Sequence, residues 1–444
     1  MDKVAEMIIQ HSDSIMKGGL DNGAVEEMKK RIADSLITSF GARNAPPVEI
    51  MKKALLPSTG KYNAPLYFSD KSAAAEIATF INGTMTRYLD YNDTYLSKEA
   101  LHPSDNIPPI LSIGYANQLR GEDVIRASLV AYDVTAAFSD SVSIRDRGWD
   151  HVTYISISSA AGLSSLIGLD SQRFEHSLNL AINNNISLRQ TRAGELSMWK
   201  GATAANACRN SVIATLLAKE GFTGPSPIFS GEMGFFKQVS GNMSLVFSKN
   251  SVLRTMIKNY PVEYHAMSAA EVAEELGREI KGKIKRVDVE TFRVAHQIII
   301  KDPEKWKPRT RETADHSMPY IIAYSLKYGS PNPDSFTEKY LNDPGIADII
   351  GKMHFTVSDR FNEMYPEYLP VRITIQTESG IIEKELDAPK GHFKRPYSWD
   401  DVVHKGMRVM DEDDSKALVN TVRSLENRDV AELFEVMGNV RTER

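Results

Sequence analysis

The chain has 444 residues, of which 42% are hydrophobic and 25% are charged, as in ordinary globular proteins. Its 53 basic and 58 acidic residues give a net charge of −5, which argues against nucleic acid or an anionic membrane as the main partner. The single cysteine, Cys208, excludes an intrachain disulfide and any iron–sulfur or zinc site built on several thiolates.

The N-terminal segment has no secretory signal pattern, because Asp2 and Glu6 interrupt it and it lacks an apolar core. No window of the sequence approaches the ~18 apolar residues that a membrane span needs. We therefore expect a cytoplasmic protein.

The first 260 residues have the hydrophobic periodicity of helices. Residues 71–93 place Ile77, Phe80, Ile81 and Met85 on one stripe, and residues 123–142 are similar. Two segments rich in small residues predict buried helices over 156–169 and 201–220, and a further helix is predicted over 268–279.

The pattern changes after Gly282. Residues 284–294 are β-branched and predict a strand, and the next strand pair predicts a hairpin with Gly380 in its turn, over 371–377 and 381–386. Helices are predicted between these strands and at the C-terminus, over 319–326, 343–353 and 399–444. Asp343 suits the N-cap of the second and Pro344 its first position.

These elements predict a mainly α protein with an α+β lid. The large all-helical domain comprises residues 1–267 and returns over 396–444, and the smaller α+β domain, residues 268–395, is inserted between them. The cleft between two such domains is where a ligand is expected.

Common nucleotide, metalloprotease and hydrolase motifs are absent from the sequence, since no GxGxxG, Walker A, HExxH or GxSxG pattern occurs. The DYNDT run at residues 90–94 does not fit a calcium loop. Tyr95 stands where glycine is required, and Leu101 stands where the bidentate glutamate belongs.

Residues 82–106 carry an unusual density of polar groups. If the predicted helix extends through this stretch, Asp90 and Thr94 share a face and Asp93 lies one turn from Asp90. His102 follows in a loop, where its ring can point into a cleft. The alternative is a helix end whose acids are solvated.

Two further stretches place a titratable side chain at the start of a small-residue helix. His151 precedes the first such helix and Lys200 the second, and a helix N-terminus favours anions. Arginines lie near both starts: Arg145, Arg147, Arg189 and Arg192. Either these groups form an anion site or they are ordinary exposed helix boundaries.

The last two stretches lie at and beyond the predicted domain junction. Lys258 and His265 flank Pro261, and a short helix brings His316 and Tyr320 four residues apart. Exposed linker residues would be the simpler interpretation of the first pair.

Taken together, these motifs resemble the MmgE/PrpD (2-methylcitrate dehydratase) family, which also includes cis-aconitate decarboxylase. The resemblance is nearly full length and rests on NGTMTRYLDYNDTY, HPSDN, GWDHVTYIS, SMWKGATAANA, IKNYPVEYH and ETADHSMPY. It implies a large helical domain with a smaller α+β lid, generally as a homodimer, and no cofactor or metal. In the decarboxylases a functional lysine lies several positions before the glycine of the small-residue helix. Here Leu196 falls near that position, and the only nearby lysine is Lys200.

The resemblance also implies site residues. Those with a catalytic role are Asp90, His102, His151 and Tyr320, and those that bind substrate are Thr94, Lys200, Lys258 and His265. Our hypothesis has His102, held by Asp90, as one proton-transfer group and His151 or Tyr320 as the other, with lysines and arginines binding carboxylates.

The activity expected from the resemblance is dehydration of 2-methylcitrate, a small tricarboxylate, to 2-methyl-aconitate in propionate catabolism. The alternatives are cis-aconitate decarboxylation, another lyase or epimerase reaction on a citrate-like acid, and a non-catalytic helical scaffold that has kept the fold.

Overall fold

The computed structural model describes residues 1–441. Nine helices form the first part of the chain: α1 (Lys3–Met16), α2 (Asn22–Gly41), α3 (Pro46–Leu55), α4 (Ala75–Tyr88), α5 (Ile107–Ala116), α6 (Gly121–Ser141), α7 (Val152–Leu166), α8 (Ser171–Asn184) and α9 (Trp199–Lys219). A small antiparallel pair, β1 (Asn63–Pro65) and β2 (Ser72–Ala74), leads into α4.

The second part alternates short helices with strands. Its elements are α10 (Met267–Glu279), β3 (Ile284–Thr291), α11 (Arg293–Ile299), α12 (Pro303–Trp306), α13 (Arg311–Ala314), α14 (Met318–Tyr328), α15 (Glu338–Leu341), α16 (Pro344–Ile350), β4 (Met353–Val357), α17 (Asp359–Met364), β5 (Val371–Thr377) and β6 (Gly380–Leu386). The chain then returns to helices α18 (Trp399–Met407), α19 (Glu412–Arg423) and α20 (Val430–Asn439).

The four-stranded sheet of the second part has the order β4-β3-β5-β6. Strand β3 is parallel to β4 and antiparallel to β5, with Val287 opposite Ile375. The predicted hairpin is confirmed, since β5 and β6 pair antiparallel, but its turn consists of Glu378 and Ser379, and Gly380 is the first residue of β6, opposite Thr377. Helices α10 and α14 pack against each other, and α10 covers β5 and β6.

Two large hydrophobic cores divide the molecule. The first combines residues from α1–α9 with residues from α18–α20, and we call these elements the helical body. The second gathers Leu96 and residues between Met256 and Ile375, and we call α10–α17 with β3–β6 the α+β body. The predicted fold class, mainly α with a smaller α+β part, is confirmed. The domain boundaries at residues 267 and 395 stay a proposed division.

Close packing of α4 on α9 positions the segments that carry candidate site residues. A Cβ at Gly83 would lie 2.8 Å from the Cβ of Ala205, and one at Gly201 would lie 3.1 Å from the Cα of Tyr88. Because these glycines have no side chain, the two helices approach closely enough to bring the C-terminal end of α4 beside the N-terminal end of α9.

Several predicted elements end at the wrong residue. The helix predicted over residues 71–93 covers only Ala75–Tyr88, because Asp90 has a left-handed backbone with φ of 52° that a helix does not tolerate. The predicted strand over 284–294 ends at Thr291 and is followed by α11. The predicted start of the helix over 343–353 is confirmed, with Asp343 accepting from the backbone N–H of Gly345, but the helix ends at Ile350 and Met353 begins β4.

Among residues 1–441, no helix combines the length and apolar character that crossing a bilayer requires.

Candidate active site

A cavity of about 740 Å³, its mouth included, lies where the two bodies meet. Six cationic side chains line it: Arg87, Arg145, Arg189, Arg192, Lys258 and Lys305. Three carboxylates and four imidazoles join them: Asp90, Glu99, Glu263, His102, His151, His265 and His316. The lining thus carries a formal excess of three positive charges with the histidines neutral, although the whole chain is acidic.

Six of the eight site residues predicted from the sequence line this cavity: Asp90, Thr94, His102, His151, Lys258 and His265. Lys200 lies directly behind the lining, in contact with Asp90 and His316. The structure does not bring Tyr320 to the cavity. Its hydroxyl donates to the carbonyl of Ser335 at 2.6 Å, and its ring packs against Phe336.

Asp90 is buried and holds several cations at once. Its Oδ1 accepts from Arg87 Nη1 at 2.5 Å and from Lys258 Nζ at 2.8 Å, and its Oδ2 lies 3.5 Å from Lys200 Nζ. Burial by itself would raise the pKa of Asp90, but these three cations hold that pKa well below its usual range. Asp90 is therefore an ionised anchor that fixes cations around the cavity.

A backbone pairing explains how Lys258 reaches Asp90. Thr94 and Met256 exchange both backbone hydrogen bonds, each of 2.9 Å, which places the segment after Met256 beside the end of α4. The Nζ of Lys258 donates to the carboxylate and carbonyl of Asp90 and to the carbonyl of Val262. All three ammonium protons are used, and burial lowers the pKa of this lysine.

Lys200 also forms an ion pair with a second carboxylate, that of Asp315. Asp90, Asp315 and His316 bring three potential ligand atoms within 4.8 Å of one another, as a metal site would. The Nζ of Lys200 lies 3.0 Å from Asp315 Oδ1 and 3.2 Å from His316 Nδ1. The lysine ammonium is thus the cation of this cluster. Burial lowers the pKa of His316 to about 4.

The environment of His102 fixes its tautomer. Its Nδ1 lies 2.7 Å from the carbonyl of Asp93, which only accepts, so Nδ1 carries the proton. Its Nε2 lies 2.9 Å from Arg87 Nη2, which only donates, so Nε2 accepts. Burial and the nearby Arg87 hold the pKa of His102 well below its usual range. The expected contact between Asp90 and His102 is replaced by Arg87, which bridges them.

His151 differs from His102 because its Nε2 is buried without a hydrogen-bond partner within residues 1–441. Its Nδ1 lies 3.3 Å from Asp150 Oδ1, and its ring stands 5.8 Å from that of His102. Burial holds the pKa of His151 well below its usual range, although Asp150 opposes this shift. The result is a neutral imidazole with a free nitrogen at the cavity.

Basic side chains surround His151 because of another backbone pairing. Trp149 and Leu188 form an isolated bridge, so the segment carrying Arg189 and Arg192 runs alongside residue 151. Arg192 Nε lies 2.9 Å from Asp150 Oδ2. Arg189 has no acidic partner within 4 Å among the described residues, and burial lowers its pKa.

Both ring nitrogens of His265 lie within hydrogen-bonding distance of a neighbouring side chain. Its Nδ1 lies 2.7 Å from Glu263 Oε1, and its Nε2 lies 3.1 Å from the hydroxyl of Tyr365. Glu263 also accepts from the backbone N–H of His265 at 2.8 Å. The ring therefore forms a fixed part of the cavity wall, in the segment that leads into α10.

Sequence reasoning missed Arg87 as a site residue, although it lies in a motif that carried the resemblance. Its position three residues before Asp90, at the end of an apolar stripe, was the available signal. His316 was noted beside Tyr320, but only the fold reveals which of the two faces the cavity. Lys305 carried no motif at all.

The arrangement defines a class of protein: two packed bodies around a buried, positively charged cavity with a neutral imidazole, suited to proton chemistry on a polyanion. Family models for the MmgE/PrpD N-terminal domain and the MmgE/PrpD C-terminal domain match residues 13–248 and 260–427. The chain belongs to the MmgE/PrpD family, and the predicted resemblance is confirmed.

Curated relatives carry dehydratase names. The chain is 29% identical over 343 residues to "2-methylcitrate dehydratase, mitochondrial" of Yarrowia lipolytica, an alignment that covers 70% of this chain and 65% of that protein. It is 28% identical over 348 residues to "2-methylcitrate dehydratase" of Escherichia coli K12, an alignment that covers 72% of this chain and 71% of that protein. "Alkylcitrate dehydratase phiI" of a fungal species is 26% identical over 356 residues, covering 71% and 69%.

Proposed function

We propose that this protein is a hydro-lyase that dehydrates 2-methylcitrate to 2-methyl-aconitate without a cofactor. The observation that carries the proposal is the cavity itself: its lining has three more positive than negative side chains, and 2-methylcitrate carries three carboxylates. The names of the relatives support the same reaction. Propionate catabolism is the proposed setting, and the cytoplasm the proposed compartment.

Dehydration removes a proton from a carbon next to a carboxylate and hydroxide from the neighbouring carbon. In our proposal, His151 Nε2 takes the proton, since it is neutral and free of hydrogen bonds. The electrons of the broken C–H bond form the C=C bond, and the C–O bond breaks. The resulting imidazolium returns the proton to the departing hydroxide, so that water leaves and His151 is neutral again.

The groups around Asp90 play a different part in this proposal. While the C–H bond breaks, negative charge builds up on the adjacent carboxylate until the C–O bond breaks and the C=C bond forms, and fixed cations stabilise that charge without reorganising. Arg87 faces the cavity while its two outer nitrogens contact Asp90 and His102. We therefore assign His102 and Asp90 to positioning Arg87, and Thr94, 3.2 Å from His102 Nδ1, to holding that ring.

The alkyl group of the substrate has a matching surface. Leu96, Ala100 and Ile298 line the cavity, and all three pack on the apolar core of the α+β body. A methyl group placed against this wall leaves water, whereas a hydroxyl or carboxylate there would lack a partner. The wall thus supports an alkylated citrate over citrate itself.

Decarboxylation of cis-aconitate is less well supported. The resemblance places a functional lysine of the decarboxylases near residue 196, and here the buried Leu196 lines the cavity. A leucine cannot bind a carboxylate or donate a proton.

A substrate panel tests the function. The purified protein, treated with a chelator, is supplied with 2-methylcitrate stereoisomers, citrate and cis-aconitate while alkene absorbance and released carbon dioxide are followed. We expect alkene formation from one 2-methylcitrate stereoisomer. Carbon dioxide and itaconate from cis-aconitate, with no turnover of 2-methylcitrate, would contradict the proposal.

We also propose a homodimer that forms through α9. Trp199, Ile213 and Leu217 share one face of this helix and are 40–47% exposed. Sedimentation velocity should give a dimer for the wild type and a monomer for Ile213→Glu/Leu217→Glu. A monomeric wild type at about 10 μM would contradict this assembly, since obligate dimers associate far below that concentration.

A further inference from the structure

Lys305 is a buried cation without a partner. It lies in α12 of the α+β body, the residue is 6% exposed, and it lines the cavity. Within residues 1–441, its ammonium makes no hydrogen bond or ion pair, and the only bonds of this residue are those of its backbone to Asp302 and Ser317.

The other two lysines of the site show how unusual this is. Lys258 donates to three oxygen acceptors, and Lys200 is bound between Asp315 and Asp90. An ammonium that is largely buried without such partners destabilises the fold, because it loses part of its hydration and gains no protein contact in exchange. Burial accordingly lowers the pKa of Lys305.

The position of Lys305 in the chain gives it a distinct role. Among the described residues, the other cavity cations with no carboxylate oxygen within 3.5 Å are Arg145 and Arg189, and both belong to the helical body. Lys305 belongs to the α+β body. A ligand with several carboxylates that engages both sets would connect the two bodies across the cavity.

We propose that Lys305 binds one carboxylate of the substrate and so provides the α+β body's charged contact to it. This inference rests on the proposed function for the identity of the substrate as a tricarboxylate. It makes Lys305 a substrate-binding residue, and it predicts that the residue contributes to binding at the expense of stability.

The test uses tricarballylate, a tricarboxylate that lacks the hydroxyl group and therefore cannot be dehydrated. Isothermal titration calorimetry on the full-length protein compares wild type with Lys305→Met, Lys305→Arg and the matched control Lys301→Met, an exposed lysine of the same segment. We expect Lys305→Met to raise the Kd about 10- to 100-fold, as loss of a charge-assisted contact does, and Lys305→Arg to restore much of the affinity. Lys301→Met should bind like the wild type.

Stability and turnover provide independent readouts. Lys305→Met should melt at the same temperature as the wild type or higher, since it removes an unpaired buried charge, whereas a structural lysine would lower the Tm. With 2-methylcitrate, the variant should raise KM more than it lowers kcat.

The outcomes separate the two proposals. If Lys305→Met binds tricarballylate as tightly as Lys301→Met, the inference is overturned whatever the activity. If the wild type binds tricarballylate and Lys305→Met does not, the role of Lys305 as a carboxylate ligand stands, even where absent turnover of 2-methylcitrate overturns the proposed reaction. A wild type that binds no tricarballylate overturns the inference about Lys305, whereas turnover of 2-methylcitrate alone decides the proposed reaction.

Discussion

The cationic side chains on the two sides of the cavity differ in how far carboxylates of the protein already bind them. Around Asp90, the cations Arg87, Lys258 and Lys200 are each in contact with a buried carboxylate. On the side of His151, Arg192 lies 2.9 Å from the buried Asp150. Its neighbours there are less constrained, because Arg189 has no acidic partner within the described residues and Arg145 lies 3.8 Å from the exposed Asp146. The first side is fixed before any ligand arrives, and the second is available to one.

This difference separates two tasks that a polyanion site must perform. Paired cations are preorganised, so they stabilise developing charge without moving. Cations without partners gain the most from a ligand carboxylate, because they have no protein contact to give up. His151, with its free Nε2, lies on the available side, where a reacting group is useful.

The largest expected effect falls on the available side. His151→Ala should lower kcat about 10²- to 10⁴-fold, the usual range for loss of a general base, while tricarballylate binding stays close to that of wild type. Stopped assays and calorimetry measure the two quantities, and His354→Ala, at an exposed strand position, is the control. Full activity in His151→Ala would refute the assignment of the base.

Substitution of Asp90, whose carboxylate pairs with the cations on its side of the cavity, should lower both stability and kcat. Asp90→Asn leaves buried cations without their anion, so we expect the free energy of unfolding to fall by about 3–5 kcal/mol and kcat by about 10²-fold or more. Urea denaturation and kinetics measure these losses.

A matched control for Asp90 exists outside the cavity. The buried Asp34 pairs with Lys405 at 2.5 Å, so Asp34→Asn should lose stability while the folded fraction keeps the wild-type kcat. Equal loss of kcat in both variants would mean that Asp90 acts only through the fold.

A smaller effect concerns pH. The pKa of His316 is about 4 in the folded protein and near 6.5 in an unfolded chain, so only the unfolded chain takes up this proton as pH falls below 6.5. Because of this histidine, the free energy of unfolding should therefore fall by about 2 kcal/mol when the pH is lowered from 7 to 5.

Urea titrations at the two pH values test this effect. His316→Asn should lose less stability on acidification than the wild type, and His404→Asn, at an exposed site, is the control. An unchanged pH dependence in His316→Asn would contradict the buried, neutral state of this ring.

The smallest expected effect concerns the apolar part of the cavity lining, formed by Leu96, Ala100 and Ile298. Ile298→Ala enlarges the cavity beside Leu96 and Ala100, so the ratio of kcat/KM for 2-ethylcitrate to that for 2-methylcitrate should rise about 10-fold. A competition assay with both substrates measures the ratio, and Ile381→Ala, exposed in the sheet, is the control. No change in the ratio would place the alkyl group elsewhere.

Local signals explain most of what could be predicted. The spacing of apolar residues indicated the helices, and Asp343 with Pro344 marked the start of α16. The left-handed residue at Asp90 was not predictable in this way, because aspartate adopts that conformation only where surrounding contacts favour it. The predicted helix therefore ran too far and gave Asp90 and Thr94 a shared helical face that does not exist.

By itself, the sequence determined the fold class, the family and the segments that carry the site, because periodicity and motifs are local properties of the chain. Only the tertiary structure decided which side chains meet. Asp90 contacts Lys200 and Lys258 through the packing of α4 on α9 and the pairing of Thr94 with Met256, both long-range. Contacts with Ser335 and Phe336 hold Tyr320 away from the cavity, and the fold places Arg87 and Lys305 in its lining, since burial and charge pairing depend on neighbours that are distant in sequence.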